Sequence, residues 1–195
     1  HWTFSPCITI PQDPRWGRFY EGFGQTTAIV DALTNAAVLG YQDRLSSVQN
    51  KQVAACAKHF IGDGATVWGT GTRVDGVHTY MLDRGDVQLD DKTLREIYLP
   101  PYKTAIAADV KTIMASFNSI RGEKCHGSKY ILTDLLKEEL GFEGFVVSDW
   151  AGIDEIPGDY KQDVINGVNA GIDMVMVPGI MEGQNQEHYL SLIHI

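Results

Sequence analysis

No stretch of this sequence is apolar for long enough to cross a bilayer, and no charged segment followed by an apolar run resembles a secretion leader. Nothing repeats, and no segment is of low complexity. Blocks of like charge are missing too. The 25 acidic and 16 basic side chains give a formal net charge of −9, but they are scattered. That pattern argues against a nucleic acid or an anionic membrane as partner. Cysteine is scarce: Cys7, Cys56 and Cys125 show no metal-ligand spacing. Cys7 and Cys56 lie in apolar stretches and read as small buried hydrophobes, and no compartment follows from them. A phosphate-binding barrel would want a glycine-rich loop opening a short helix near its C-terminal strands. The Gly62-Asp63-Gly64 triplet lies in the wrong unit for that.

What the chain does have is apolar material: 44% of its 195 residues are hydrophobic, enough for one sizeable core. Five segments have strand character: Trp2–Ile10, Val53–Phe60, Val110–Phe117, Gly144–Trp150 and Ile172–Val177. Each is nearly continuously apolar rather than alternating, as expected of strands covered on both faces. Helical patterns lie between most of them. Gln25–Tyr41 is rich in Ala, Leu, Ile and Val. Asp91–Ala108 opens on acids and meets Pro100-Pro101 as a kink or restart. Ser128–Leu140 carries Ile131, Leu132, Leu135, Leu136 and Leu140 on one stripe and stops at Gly141. Asp159–Ala170 closes at Gly171.

Alternating strand and helix predicts an α/β fold with a parallel sheet. The helix-to-strand link at Gly141–Gly144 is short, whereas the links leaving the strands are longer and richer in glycine and polar residues. That asymmetry is the mark of a (β/α) barrel, whose site-bearing loops follow the strand C-termini. Eight such units need about 250 residues. The fold class predicted is therefore an incomplete (β/α)8 TIM-type barrel over residues 1–178, with 179–195 a ragged tail that is either truncated or non-native. The longest connection, Ile61–Asp90, holds six glycines and fits neither period. A loop of that length is functional or disordered, and its Trp68 and Tyr80 argue against plain disorder.

The strand ends carry the chemistry. The first leads into Arg15, Trp16, Arg18 and Glu21; the second ends at Lys58-His59, the third at Ser116-Phe117-Asn118, the fourth at Asp149-Trp150. In a barrel they face one cavity. Cations, a carboxylate and aromatic walls converging on one pocket describe a sugar site, and nearby cations would keep Asp149 ionised and fit to attack. Taken singly, each residue has an ordinary structural reading. Asp149 could cap the next helix. Arg15 and Arg18 could be salt-bridged scaffolding, Lys58-His59 a partly buried pair, and Trp150 core. Their conjunction favours function.

The stretches DPRWGRFYE at 13–21, VAACAKHFIGDG at 53–64, LPPYKTAI at 99–106, IMASFNS at 113–119, LLKEELGFEGFVVSDWAGI at 135–153 and NAGIDMVMVP at 169–178 resemble the barrel domain of glycoside hydrolase family 3. The resemblance is to its β-glucosidase and exo-β-glucanase branch. It implies a retaining, exo-acting hydrolase of terminal β-D-glucosyl residues, working by double displacement with Asp149 as nucleophile and needing no metal or organic cofactor. It also implies that Arg18, Lys58 and His59 hold sugar hydroxyls, that Trp150 forms a wall, and that Glu21 lies close to that subsite. Phe117 stands where the family usually has Tyr, so a hydroxyl near the nucleophile is missing. Arg121-Gly122 replaces the usual Asn-Gly. The branch's acid/base Glu lies in a following α/β sandwich domain, and the Asp that grips the sugar in an N-terminal part of the barrel, so the chain is expected to be a fragment without turnover of its own. Its partners are then a β-glucoside or β-glucan oligosaccharide and the remainder of a parent chain, in the periplasm or outside the cell. Two alternatives stand beside this. One is the family's β-N-acetylhexosaminidase branch, whose His-Asp dyad needs Pro and a second His where this chain has Ile61 and Asp63; Asp75 and His78 are present but wrongly spaced. The other is a non-catalytic carbohydrate-binding half-domain.

Overall fold

The computed structural model describes residues 1–42 and 52–177. The tail expected at 179–195 lies outside them. Three parallel strands, β1 (Cys56–Phe60), β2 (Thr112–Ala115) and β3 (Phe145–Val147), form the central sheet in the order β1-β2-β3. Isolated parallel bridges extend it on both sides. Trp2 pairs with Ala54 and Cys7 with Lys58 at one edge, and Val147 pairs with Met174 at the other. The segments Trp2–Ile10 and Ile172–Val177 are thus aligned with the sheet without being regular strands. Pro6, which has no N–H to give a ladder, interrupts the first.

Reading across the sheet, five neighbours follow one another in chain order, all parallel. A doubly wound sheet reverses strand order at a switch point; a barrel wall does not. The mixed α/β fold is therefore of the barrel type. Both faces of the strands are apolar for a visible reason. Ala57, Ile113, Ala115 and Val146 turn toward the helices and join the main core, while Cys56, Met114 and Val147 form a second cluster with Trp2 and Met176. Continuous apolar runs are what such double coverage requires.

The helices are α1 (Thr27–Tyr41), α2 (Pro100–Ala107), α3 (Tyr130–Glu139) and α4 (Tyr160–Ala170). Thr26 caps α1 and Asp159 caps α4, its carboxylate accepting the Gln162 amide at 2.9 Å. Ahead of α2, Leu94–Tyr98 forms a wide π-type turn and Pro100 sits in the first turn of α2. Of the kink and the restart expected there, the proline pair marks the restart. The stripe read on α3 is real: Ile131, Leu132, Leu135 and Leu136 are all buried. Each such side chain removed from water contributes about 2 kcal/mol.

The long connection is ordered. Within it lie a short turn at Asp63–Ala65, a hairpin of Val74–Asp75 with His78–Thr79, and a strand Asp86–Val87 that pairs in parallel with Ser119–Ile120. Gly64 makes its approach possible, because a Cβ there would lie 2.4 Å from the Ile10 carbonyl oxygen.

Candidate active site

β1 supplies the first two side chains. Its pairing with β2 shifts register between Ala57 and Phe60, the interval that holds Lys58 and His59. Such irregularities re-aim side chains out of strict alternation. The buried Tyr102 hydroxyl anchors the bend by donating to the His59 carbonyl at 2.6 Å, with its ring edge-on to Phe60 at 4.8 Å. His59 is 2% exposed. Its Nδ1 lies 2.9 Å from Asp63 Oδ2, and Asp63 Oδ1 accepts from the Thr9 hydroxyl. Arg18 Nη2 approaches His59 Nε2 at 2.8 Å. A guanidinium can only donate, so Nε2 accepts and the ring proton sits on Nδ1, directed at Asp63.

Asp149 follows β3 by two residues instead of ending it. Its Oδ1 accepts the Trp150 amide at 2.7 Å. Its Oδ2 is buried without a hydrogen-bond partner among the described residues, yet lies 3.3 Å from His59 Nε2. The two observations agree once the tautomer is fixed: Nε2 has its lone pair engaged by Arg18 and no proton to offer. The reading of Asp149 as a helix cap does not hold. The short turn Gly152–Glu155 has no side-chain cap, and α4 is capped by Asp159.

Arg18 also binds Glu21 through Nε and Nη2, at 2.8 and 3.0 Å. Burial works against the Arg18 charge, but Glu21, with Asp63 and Asp149 behind it, more than restores it and holds the guanidinium above its usual range. Burial is the largest influence and raises the Glu21 carboxyl; the hydrogen bond and the charge of Arg18, reinforced by Lys58, together outweigh it and keep Glu21 low. Arg15 stands apart. It pairs with Asp13 and lies 3.9 Å over the Trp68 ring.

Of the residues expected at the site, Arg18, His59, Asp149 and Glu21 form one connected group. Trp150 is 53% exposed and so is not core. Lys58 lines a neighbouring cavity of about 670 Å³ with Glu21, Cys7 and Phe23, and Asp149 is not among the residues lining it. Phe117 is buried, with Arg84 3.9 Å over its ring; its face is packed, not open. The expected burial of the cysteines holds for Cys56, while Cys7 is half-buried. Burial nevertheless raises both thiols, to about 11 and about 12 respectively. Asp75 and His78 face each other across an exposed hairpin. No group of three or more His, Cys, Asp or Glu among the described residues is arranged to hold a metal.

Two residues of the site escaped the sequence reading. Asp63 lay inside a triplet weighed only as phosphate loop and hexosaminidase position. His126, whose Nε2 accepts the Asp149 amide at 3.0 Å, lies in the 3-10 turn Cys125–Gly127, where no strand or helix period draws attention to it.

A parallel β/α wall whose strand ends gather a carboxylate, an imidazole, an arginine and an indole has the build of a carbohydrate-active barrel. The chain belongs to glycosyl hydrolase family 3, whose N-terminal domain model matches residues 1–189. It is similar to the periplasmic beta-glucosidase of Salmonella typhimurium, 31% identical over 179 residues that make up 89% of this chain and 22% of the relative. Among solved structures, a mutant exo-1,3/1,4-beta-glucanase from a Pseudoalteromonas species is 36% identical with a TM-score of 0.82, over 100% of this chain and 28% of that one. A mutant beta-glucosidase from Listeria innocua in complex with laminaribiose is 33% identical with a TM-score of 0.79, over 90% of this chain and 24% of that one. The chain spans about a fifth of the length of the curated relatives it matches.

Proposed function

We propose that this chain carries the nucleophile half of a retaining, exo-acting β-glycoside hydrolase that releases terminal β-D-glucosyl residues. The observation that carries the reading is Asp149 Oδ2, a buried carboxylate oxygen without a hydrogen bond, held beside His59 while its twin Oδ1 is tied to the Trp150 amide. Oδ2 forms the bond to the anomeric carbon as the bond to the leaving oxygen breaks. A carboxylic acid about 5–5.5 Å from the nucleophile gives that oxygen its proton. The resulting carboxylate then takes a proton from water, whose oxygen attacks the same carbon and returns Asp149 to its ionised form.

The acid is supplied from outside residues 1–178. Within the described site Glu21 is kept ionised by Arg18, and Asp63 is occupied as an acceptor by Thr9 and His59. Neither has a proton to give. Arg18, Lys58 and Glu21 bind the hydroxyls of the terminal sugar, His59 contributes to that subsite by orienting Arg18, and the exposed Trp150 indole forms a wall. Phe117 supports the site from beneath Arg84. The substrates are β-glucosides or β-glucan oligosaccharides, in keeping with the laminaribiose named for the Listeria relative. The periplasmic relative favours a location outside the cytoplasm. Residues 1–178 form the barrel part of the catalytic domain, and a following sandwich domain completes the site.

A 2-deoxy-2-fluoroglucosyl donor with an activated leaving group tests this, since such a group needs little acid assistance. Intact and peptide mass should show one fluoroglucosyl adduct on Asp149, and none in Asp149→Asn. A folded chain that stays unlabelled would overturn the assignment.

A further inference from the structure

His126 is the buried titratable side chain that contacts the nucleophile's backbone. It is 0% exposed, and its Nε2 accepts the Asp149 N–H at 3.0 Å. The sheet ladder cannot serve that amide. The preceding Ser148 N–H goes to the Met174 carbonyl at 2.9 Å, and β3 has already ended. A buried amide left without an acceptor would be costly. His126 also completes the tethering of Asp149. The Asp149 carbonyl accepts the Gly152 amide at 2.9 Å, and Oδ1 accepts the Trp150 amide at 2.7 Å. Three of the residue's four polar groups are then fixed, and Oδ2 alone is left free.

We propose that His126 is a positioning residue, a neutral acceptor that holds the Asp149 backbone so that Oδ2 is presented to the anomeric carbon. The inference rests on the reading of Asp149 as nucleophile. Neutrality is built in. Burial first, then the charges of Lys124 and Arg84, depress the imidazole to about 3, against one backbone contact from Ser116 that works the other way. A protonated ring would have no lone pair on Nε2. The fit is close on the far side also, since a Cβ on Gly152 would lie 2.2 Å from Nε2. Phe117 packs against the ring at 5.7 Å between centroids.

Three variants separate positioning from mere filling of space. His126→Gln keeps an acceptor of similar reach, His126→Leu removes it at similar volume, and His126→Asn is too short to reach and guards against a Leu variant that does not fold. The first readout is hydrogen exchange at the Asp149 amide. Protection should fall at least tenfold in Leu and Asn and be kept in Gln. The second is fluoroglucosyl labelling of Asp149, split into donor binding and the bond-forming step. Misplacement by about 1 Å can cost a hundredfold in rate, so the Leu and Asn variants should label at least tenfold more slowly at unchanged donor affinity. The Gln variant should recover to within about threefold of the parent, in keeping with rescue by a retained acceptor. Equal labelling in all four proteins, or unchanged amide protection in Leu and Asn, would overturn the proposal. A folded parent that takes no label would overturn the nucleophile assignment instead, and the exchange data would still decide whether His126 holds the Asp149 backbone.

Discussion

The carboxylate at the end of the GFVVSDW stretch shows how little of a residue's role its own neighbourhood in sequence decides. Asp149 could have capped a helix; only the structure, in which the turn at Gly152–Glu155 has no side-chain cap and Asp159 caps α4, excludes that. The identity of the groups at the strand ends was legible because barrel topology gathers them; their pairing was not. Arg18 binding both Glu21 and His59, and Asp63 setting the His59 tautomer, depend on angles that no spacing encodes. Gly152 offers a test at this scale. Replacing it with Ala drives a methyl into the fully buried His126 ring, at 2.2 Å from Nε2. Overpacking of that kind costs about 1–3 kcal/mol. Urea unfolding of Gly152→Ala should show a midpoint lowered to match, with the slope unchanged.

At the scale of elements, the cores of the sequence-read segments survive and their edges do not. Cys56–Phe60, Thr112–Ala115 and Phe145–Val147 fall inside the expected strands. The flanks of the sheet, from Trp2 and to Met174, are joined by single bridges, because irregular backbone at a sheet edge is invisible to a hydrophobicity pattern. Least legible was the clamp that holds the loops together. Glu155 accepts from Arg84 in the long connection and from Lys124 at 3.0 Å in the 119–124 hairpin, so three loops meet on one carboxylate. These partners are 31 and 71 residues away in sequence. Glu155→Ala would leave the Lys124 ammonium, whose side chain is only 12% exposed, without its carboxylate and with the Phe117 carbonyl at 3.0 Å as its remaining acceptor. After discounting for the more exposed Arg84, the loss should be about 1–2 kcal/mol and smaller in high salt. Denaturation midpoints at two ionic strengths check both size and sign.

At the scale of the whole molecule, His126 sets an acid limit on stability. In the unfolded chain its imidazole titrates at 6.5; folded, it is depressed to about 3. Between those values the unfolded state binds the extra proton, so stability is complete above about pH 6.5 and declines as pH falls toward 3, by a few kcal/mol in total. Asp163 pulls the other way. Burial, reinforced by Asp154 and Asp159, raises its folded carboxyl above 3.8, so its protonation favours the fold as pH falls through the carboxylate range. Unfolding followed by circular dichroism from pH 7 to pH 4 should therefore show a falling midpoint, and His126→Gln should flatten that slope.

The order of the sheet has a consequence for how the chain comes to be folded. Because each parallel neighbour is the next one along the sequence, from Trp2 beside Ala54 to Val147 beside Met174, a segment leaving the ribosome finds its partner already made. Among the described strands of the central sheet, none waits for one synthesised much later. The wall can then grow vectorially, one β/α unit at a time, and the edge it exposes at any moment is the one the next unit covers.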